Sequence, residues 1–207
     1  MTQADDSQAS IKKATRDDIL RLSIPLFARS GFDGISMRDI AAVVGVTAAA
    51  LYHHFADKED LYRSLINLAF SEKTSRIRDI LAGTDSPQQR LEQFVTAFTR
   101  VLSEEKDFQR LLHWTLLEST DARMQALADD VFLGLVCEVQ QLVTELDVPF
   151  DPLLLTVSIM GIILFPFEAA KASSHMPGYL ASTQRNPDVL ARHILSLMRF
   201  GTAGPAK

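Results

Sequence analysis

The sequence has a single cysteine and lacks the spacings and motifs that are typical of metal sites and of nucleophilic catalysis. One cysteine, Cys137, among 207 residues excludes an internal disulfide and favours a reducing, cytoplasmic compartment. No basic stretch followed by a short apolar run opens the chain, so we expect no secretory signal. The five histidines show no metal-ligand spacing, and neither a nucleophile motif nor a glycine-rich phosphate loop is present. We therefore expect no catalytic residue, metal or cofactor, although a helical enzyme or a scaffold protein remains the alternative class.

The composition is that of a folded globular protein with an uneven distribution of charge. Hydrophobic residues make up 47% of the chain and charged residues 23%, which argues against disorder. The net charge is −5, yet residues 11–58 hold seven Lys or Arg against five Asp or Glu, a balance of +2. Residues 1–10 are small, polar and acidic, which predicts a frayed tail. A weakly basic N-terminal end on an acidic body is compatible with phosphate binding at that end.

The apolar residues recur at helical spacing along nearly the whole chain, and no alternating strand pattern is evident. We expect an all-α protein of about nine helices. The first runs from about Ala14 to Ser30, contains Pro25 as a bend, and ends at Gly31 in a left-handed cap. A single apolar stripe, from Met124 to Leu146, predicts one later helix.

The segment 36–55 has the pattern of a helix-turn-helix. Ser36 and Thr47 can cap two short helices, and Gly45 allows the tight turn between them. The expected inward positions are Ile40, Ala41, Val44, Leu51 and Phe55. The positions left outward are Ala48, Ala49, Tyr52 and His53, so the second helix can approach a duplex.

These residues, with the flanking stretches LFARSGF (26–32) and DKEDL (57–61), resemble the TetR family of transcriptional regulators. The resemblance implies an all-helical homodimer with a three-helix DNA-binding domain at residues 11–58. A connecting helix at 58–82 and a ligand-binding and dimerisation domain at 83–207 would follow. The implied function is a ligand-responsive repressor that binds a palindromic operator and is released by a small hydrophobic or aromatic effector.

The resemblance also implies which residues contact operator DNA. Arg38 is expected to reach a phosphate or a base, and Tyr52 and Lys58 to hold the backbone. Three successive alanines offer little hydrogen-bonded readout, so thymine-methyl contacts or DNA shape would carry specificity. Plain packing is the alternative for Tyr52, and one of the two adjacent histidines can serve only to brace the fold. The full set is Met37, Arg38, Thr47, Ala48, Ala49, Ala50, Tyr52, His53, His54 and Lys58.

The most apolar run, residues 153–167, is too short for a membrane span of about 20 residues and has Asp151 before it and Glu168 after it. A helix that is apolar all round is usually buried by a partner. We therefore expect an isologous homodimer built from helices near 152–172 and 188–200, with an intramolecular core as the alternative. Membrane insertion is disfavoured.

Bulky side chains in the C-terminal half suggest a pocket between helices for a small effector. For any one of them, a place in the core is the simpler interpretation. The candidates are Phe94, Phe98, Phe108, Leu112, His113, Trp114, Leu117, Met124, Phe132 and Met160.

Overall fold

The computed structural model describes residues 14–118, 120–181 and 186–202, and the regular secondary structure within them is entirely helical. This confirms the all-α prediction, with eleven α-helices within the described ranges in place of about nine. The proposed tail at 1–10 lies outside the described residues. The helices are α1 Arg16–Ser30, α2 Met37–Val44, α3 Ala48–His54, α4 Lys58–Leu81, α5 Pro87–Glu104, α6 Lys106–Glu118, α7 Asp121–Leu127, α8 Leu133–Glu145, α9 Pro152–Glu168, α10 Ala170–Ser173 and α11 Pro187–Thr202.

Helix α1 begins two residues later than the periodicity predicts because Thr15 caps it. The Thr15 hydroxyl accepts from the Asp18 N–H at 3.2 Å, and the Asp18 carboxylate accepts from the Thr15 N–H at 3.0 Å. The helix continues through Pro25 and ends at Gly31. Gly31 has φ 66° and ψ −173°, so its φ is positive as expected but its backbone is not in the left-handed helical conformation.

The turn between α2 and α3 depends on Gly45. This residue is in the left-handed conformation, with φ 77° and ψ 31°, and both its N–H and that of Val46 donate to the Ala41 carbonyl at 3.0 Å. A Cβ at this position would meet nothing within 4 Å. Glycine is therefore favoured by the backbone conformation and not by lack of space. Leu51 and Phe55, which follow the turn, are buried as predicted.

Helix α4 joins the N-terminal three-helix unit to the rest of the chain. It packs against α1 at its beginning and against α5, α6 and α8 further along. Its buried side chains run from Leu61 and Tyr62 to Ile77 and Leu81. A single helix thus contributes to the core at both ends, and the residue at which the domains divide stays a prediction.

A π-helical turn, Ala128–Phe132, separates α7 from α8. The periodicity predicted one uninterrupted helix here. The Leu133 N–H donates to the Ala128 carbonyl, five residues back, which widens the turn. The Phe132 ring packs edge-on against the ring of Phe70 in α4. The Phe70 ring also contacts that of Phe108 in α6, and the ring centroids are 4.8 Å apart in both pairs. These aromatic contacts pack α6 and the π-helical turn against α4.

Helix α9 is the most apolar element, yet its length falls below what a bilayer requires. None of the helices in the described ranges combines the length and apolarity that a membrane crossing needs.

Candidate nucleic-acid interface

The outer surface of the N-terminal unit is formed by the start of α2 and the exposed side of α3. Ser36 begins α2 through a capping box in which its hydroxyl and N–H both donate to the Asp39 carboxylate, at 2.6 and 2.8 Å. These hydrogen bonds, first that of the Ser36 side chain, lower the pKa of Asp39 from its ordinary value. The carboxylate therefore supports the cap at neutral pH, and its contribution is lost as the pH falls through that lowered pKa.

Arg38 follows directly in this first turn, and its side chain is exposed. Thr47 begins α3 by accepting a hydrogen bond from the Ala50 N–H at 3.1 Å. Ala49 on α3 is also exposed, whereas Ala48 and Ala50 are half-buried. The beginning of α3 thus presents small apolar side chains at the surface.

Tyr52 and His53 extend this face toward the end of α3. Tyr52 is 55% exposed, which does not fit the alternative that it is a core residue. His53 is exposed, whereas His54 is half-buried, with its ring 6.3 Å from that of Phe55. Of the two histidines, His54 is the one placed to brace the fold, and that role stays a prediction.

Two of the expected DNA-contacting side chains are engaged within the fold. Met37 is only 8% exposed and belongs to the core with Ile40. The Lys58 ammonium donates to the Ile35 carbonyl at 2.7 Å and lies 4.1 Å from the centroid of the Phe32 ring. Burial lowers the pKa of Lys58 below its usual range. In this arrangement Lys58 holds the segment that enters α2, and contact with a phosphate would require it to leave these partners.

The residues predicted to bind an effector are distributed over several environments. Phe94 and Phe98 stack on each other in the core at 5.8 Å. Phe108, Leu112 and Phe132 also pack into the core or against it, while Met124 and Met160 are half-buried. His113 pairs with Glu168, Trp114 contacts the N-terminal unit, and Leu117 is 67% exposed. Their role in effector binding stays a prediction.

A separate apolar cavity of about 430 Å³ lies between α5, the end of α8, α9 and α11. Phe150, Leu155, Ile159, Leu195 and Met198 are among its lining residues, and the ion pair between Glu92 and Arg199 contributes charged groups. Sequence periodicity missed this cavity because its walls come from several helices that lie far apart in the sequence. When only its own segment is considered, the pattern around each of these residues predicts an ordinary core position.

The face of α9 opposite its buried residues is apolar as well, and Ser158 and Ile162 on this face also line the cavity. Thr156, Ile159 and Ile163 face the core, and the opposite positions form an exposed stripe at three- and four-residue steps. Its large members are 36% to 69% exposed, and a Cβ added at Gly161 would meet nothing within 4 Å. The stripe comprises Leu154, Val157, Ser158, Gly161, Ile162 and Phe165.

A helix-turn-helix unit joined by one long helix to a helical C-terminal half defines the class of this protein. Residues 19–65 match the family described as bacterial regulatory proteins, tetR family. The N-terminal unit is therefore that of the TetR family of regulators.

The relatives are regulators and the structural neighbours share the fold. The sequence is 33% identical over 97 residues to the HTH-type transcriptional repressor KstR2 of Mycobacterium tuberculosis, across 46% of this chain and 48% of that repressor. The chain thus aligns with about half the length of this relative. FadR of Bacillus subtilis, solved with stearoyl-CoA, superposes with a TM-score of 0.75 at 16% identity, covering 93% of this chain and 100% of FadR. AibR, solved with isovaleryl coenzyme A and operator DNA, has a TM-score of 0.70 at 19% identity, with 88% and 96% covered.

Replacement of Lys58 by methionine tests its structural role. Methionine keeps most of the apolar stem but leaves the Ile35 carbonyl without its donor, which costs about 1–3 kcal/mol when the group is buried. We expect the Tm to fall by about 2–10 °C for a chain of this size, measured by circular dichroism. Lys171→Met, at an exposed lysine of α10, is the matched control. An unchanged Tm for Lys58→Met would show that the ammonium is free in solution and available for another partner.

Proposed function

We propose that this protein is a ligand-responsive transcriptional repressor that binds a palindromic operator as a homodimer. The observation that carries the proposal is the exposed surface formed by Arg38, Thr47, Ala49, Tyr52 and His53 at the start of α2 and along α3. A scaffold protein would have no need for such an exposed surface on two short helices, each with its own N-cap. A function on DNA also agrees with a cytoplasmic location.

The chemistry of the surface indicates how it would read DNA. Arg38 and Tyr52 carry polar ends suited to phosphate oxygens, which position a protein but do not specify sequence. Ala48, Ala49 and Ala50 can contact thymine methyl groups or allow close approach of α3 to the base edges. With so few cations, each copy binds weakly, and two copies must act together on half-sites about 34–36 Å apart or a multiple of that spacing.

Alanine substitution of Arg38 and of Tyr52 tests the DNA interface. We expect each change to weaken binding to the DNA that flanks the protein's own gene by about tenfold, as loss of a direct contact worth 1–3 kcal/mol does. Binding is measured by gel shift at several salt concentrations. Arg38→Ala should also lower the salt dependence by about one unit if its partner is a phosphate.

Arg192→Ala is the matched control, because this exposed arginine lies on α11, in the C-terminal half of the chain. Wild-type affinity in both the Arg38 and Tyr52 variants would contradict the assignment of this surface to DNA.

The exposed stripe of α9 is the proposed dimer interface, together with the neighbouring side of α11. Leu154, Val157 and Phe165 are 68%, 58% and 69% exposed, and Leu197 of α11 is 48% exposed. So large an apolar surface on one face indicates a protein partner. A second copy is the occupant that two-fold operator symmetry requires, and Gly161 leaves room for the two α9 helices to approach closely.

A charge placed in this stripe should separate the two copies. Val157→Arg would bury an unpaired guanidinium between apolar faces, which costs several kcal/mol. We expect sedimentation velocity at micromolar concentration to show monomer for this variant and dimer for the wild type, with operator affinity lost in parallel. Leu22→Arg, at a 49% exposed leucine of α1, should remain dimeric. A dimeric Val157→Arg protein would exclude α9 as the interface.

The effector is proposed to be an acyl thioester of coenzyme A whose apolar chain enters the cavity between α5, α8, α9 and α11. A volume of about 430 Å³ lies within the range of small-molecule pockets, and apolar side chains dominate its lining. Support for the thioester class comes from the ligands of FadR and AibR, which share the fold. Ligand binding beside the proposed interface can favour one arrangement of the two copies over another.

Binding of acyl thioesters to the wild type tests the proposed ligand class, and a larger side chain in the cavity tests the proposed binding site. Stearoyl-CoA and isovaleryl-CoA are the probes, and we expect at least one to raise the Tm of the wild type and to release operator DNA. Leu155→Trp places a larger side chain in the cavity and should weaken the response at least tenfold, whereas Leu22→Trp should respond normally. No response of the wild type to either thioester would reject the class. An equal response of Leu155→Trp, with the dimer intact, would reject the site.

A further inference from the structure

Three contacts attach the N-terminal unit to α6 and α7 of the C-terminal half. The indole N–H of Trp114 donates to the Ala28 carbonyl at 3.1 Å. The hydroxyls of Tyr62 and Thr115 are 3.1 Å apart and buried. The third contact is made by Arg123 of α7, which reaches Glu59 in the first turn of α4. They add specific polar contacts to the packing of α1 against α4 and α6.

Arg123 has the most complete set of partners among these residues. Its Nε and Nη2 donate to the two carboxylate oxygens of Glu59 at 2.7 and 3.1 Å. Its guanidinium carbon lies 3.6 Å from the centroid of the Phe32 ring. Only 9% of the Arg123 side chain is exposed, whereas Glu59 is 46% exposed. A bidentate pair combined with aromatic stacking is a geometry that lysine cannot reproduce.

The contact continues from Phe32 into the helix-turn-helix. The same ring lies 4.1 Å from the Lys58 ammonium, which donates to the Ile35 carbonyl. Ile35 immediately precedes Ser36, the cap of α2. A connected series of contacts therefore runs from Arg123 of α7, through Phe32 in the turn after α1, to Ile35. Ile35 lies next to the cap of α2, the helix that carries Arg38.

Because α7 belongs to the C-terminal half, a structural change there can alter this series of contacts. The π-helical turn follows α7 directly, and Phe132 at its end packs on Phe70 of α4, which also contacts Phe108 of α6. Single π turns inside α-helices are frequently found at functional sites. A shift there would move Arg123 relative to Glu59 and Phe32.

We propose that Arg123 is a positioning residue for operator binding, which orients the helix-turn-helix through Glu59 and Phe32 without touching DNA. This inference rests on the proposed function. It differs from a purely stabilising role, in which loss of Arg123 lowers the Tm but leaves operator affinity unchanged at temperatures where the chain is folded. It also differs from a direct contact, because a phosphate contact contributes to the salt dependence of binding.

The test uses the full chain with Arg123→Gln, Glu59→Gln, the double variant and Arg123→Lys. Arg78→Gln is the matched control, since Arg78 also pairs with a glutamate on another helix, Glu138 of α8, but away from this junction. Gel shifts with the flanking DNA are carried out well below the Tm at several salt concentrations. Trp114 is the only tryptophan of the chain, so acrylamide quenching of its fluorescence reports on the junction without DNA.

We expect Arg123→Gln to weaken operator binding about tenfold, a typical size for coupling between sites, with an unchanged salt slope. Glu59→Gln should have a similar effect, and the double variant should be no weaker than either single one, because all three remove the same pair. Quenching of Trp114 should increase in each, and Arg123→Lys should be intermediate. Arg78→Gln should match the wild type.

Wild-type affinity in Arg123→Gln, or additive losses in the double variant, would overturn the proposal. A reduced salt slope would instead identify Arg123 as a DNA contact and overturn it as well. If Arg123→Gln fails to fold, Glu59→Gln and Arg123→Lys carry the same test. A wild-type protein that binds no DNA would reject the proposed function, and the quenching of Trp114 would still reveal whether Arg123 holds the junction.

Discussion

Tyr62 lies near the beginning of α4, 1% exposed, where the two halves of the chain meet. Its ring is 5.1 Å from that of Phe27 and 5.3 Å from that of Phe32, and its hydroxyl reaches Thr115 of α6. Burial raises the pKa of Tyr62 above its usual range, so the phenol stays neutral and keeps its hydrogen bond at physiological pH. Because this side chain contacts both halves within one continuous core, the N-terminal unit is packed against the C-terminal half and is not a freely tethered module. The orientation of α2 and α3 follows from this packing.

That rigidity matters because the candidate DNA surface carries so little charge. A strongly basic surface can bind a duplex in many orientations, since counterion release does not depend on register. A face of alanines with Arg38 and Tyr52 gains affinity only when two copies are presented at the correct separation. Two sets of proposed contacts affect the distance and angle between the α3 helices of the two copies. One set is made by α9 between the copies, and the other by Arg123 within each copy. An effector that enters between α9 and α11 would affect this distance and angle too.

The local features of the N-terminal unit could be predicted in detail because their causes lie within a few residues of each other. Ser36 and Thr47 cap helices through bonds to residues three positions away, and Gly45 adopts the conformation that the turn demands. The family resemblance rests on this same stretch. The π turn at Ala128–Phe132 was not predictable from periodicity, since apolar residues still recur at three- and four-residue steps through it. Its effect is to bring Phe132 onto Phe70, a residue more than 60 positions earlier.

The sequence by itself determined the all-helical class, the helix-turn-helix and the apolar character of α9, because helix periodicity, capping and turn chemistry are short-range properties. Only the tertiary structure decided that Met37 faces the core, that Lys58 is bound to Ile35, and that Arg123 and Trp114 hold the N-terminal unit. It also formed an apolar cavity whose lining includes none of the residues predicted to bind an effector. The physical reason is the same in each case. Burial and pairing depend on which helices cross, and a pattern confined to one helix shows that a face is apolar without showing what covers it.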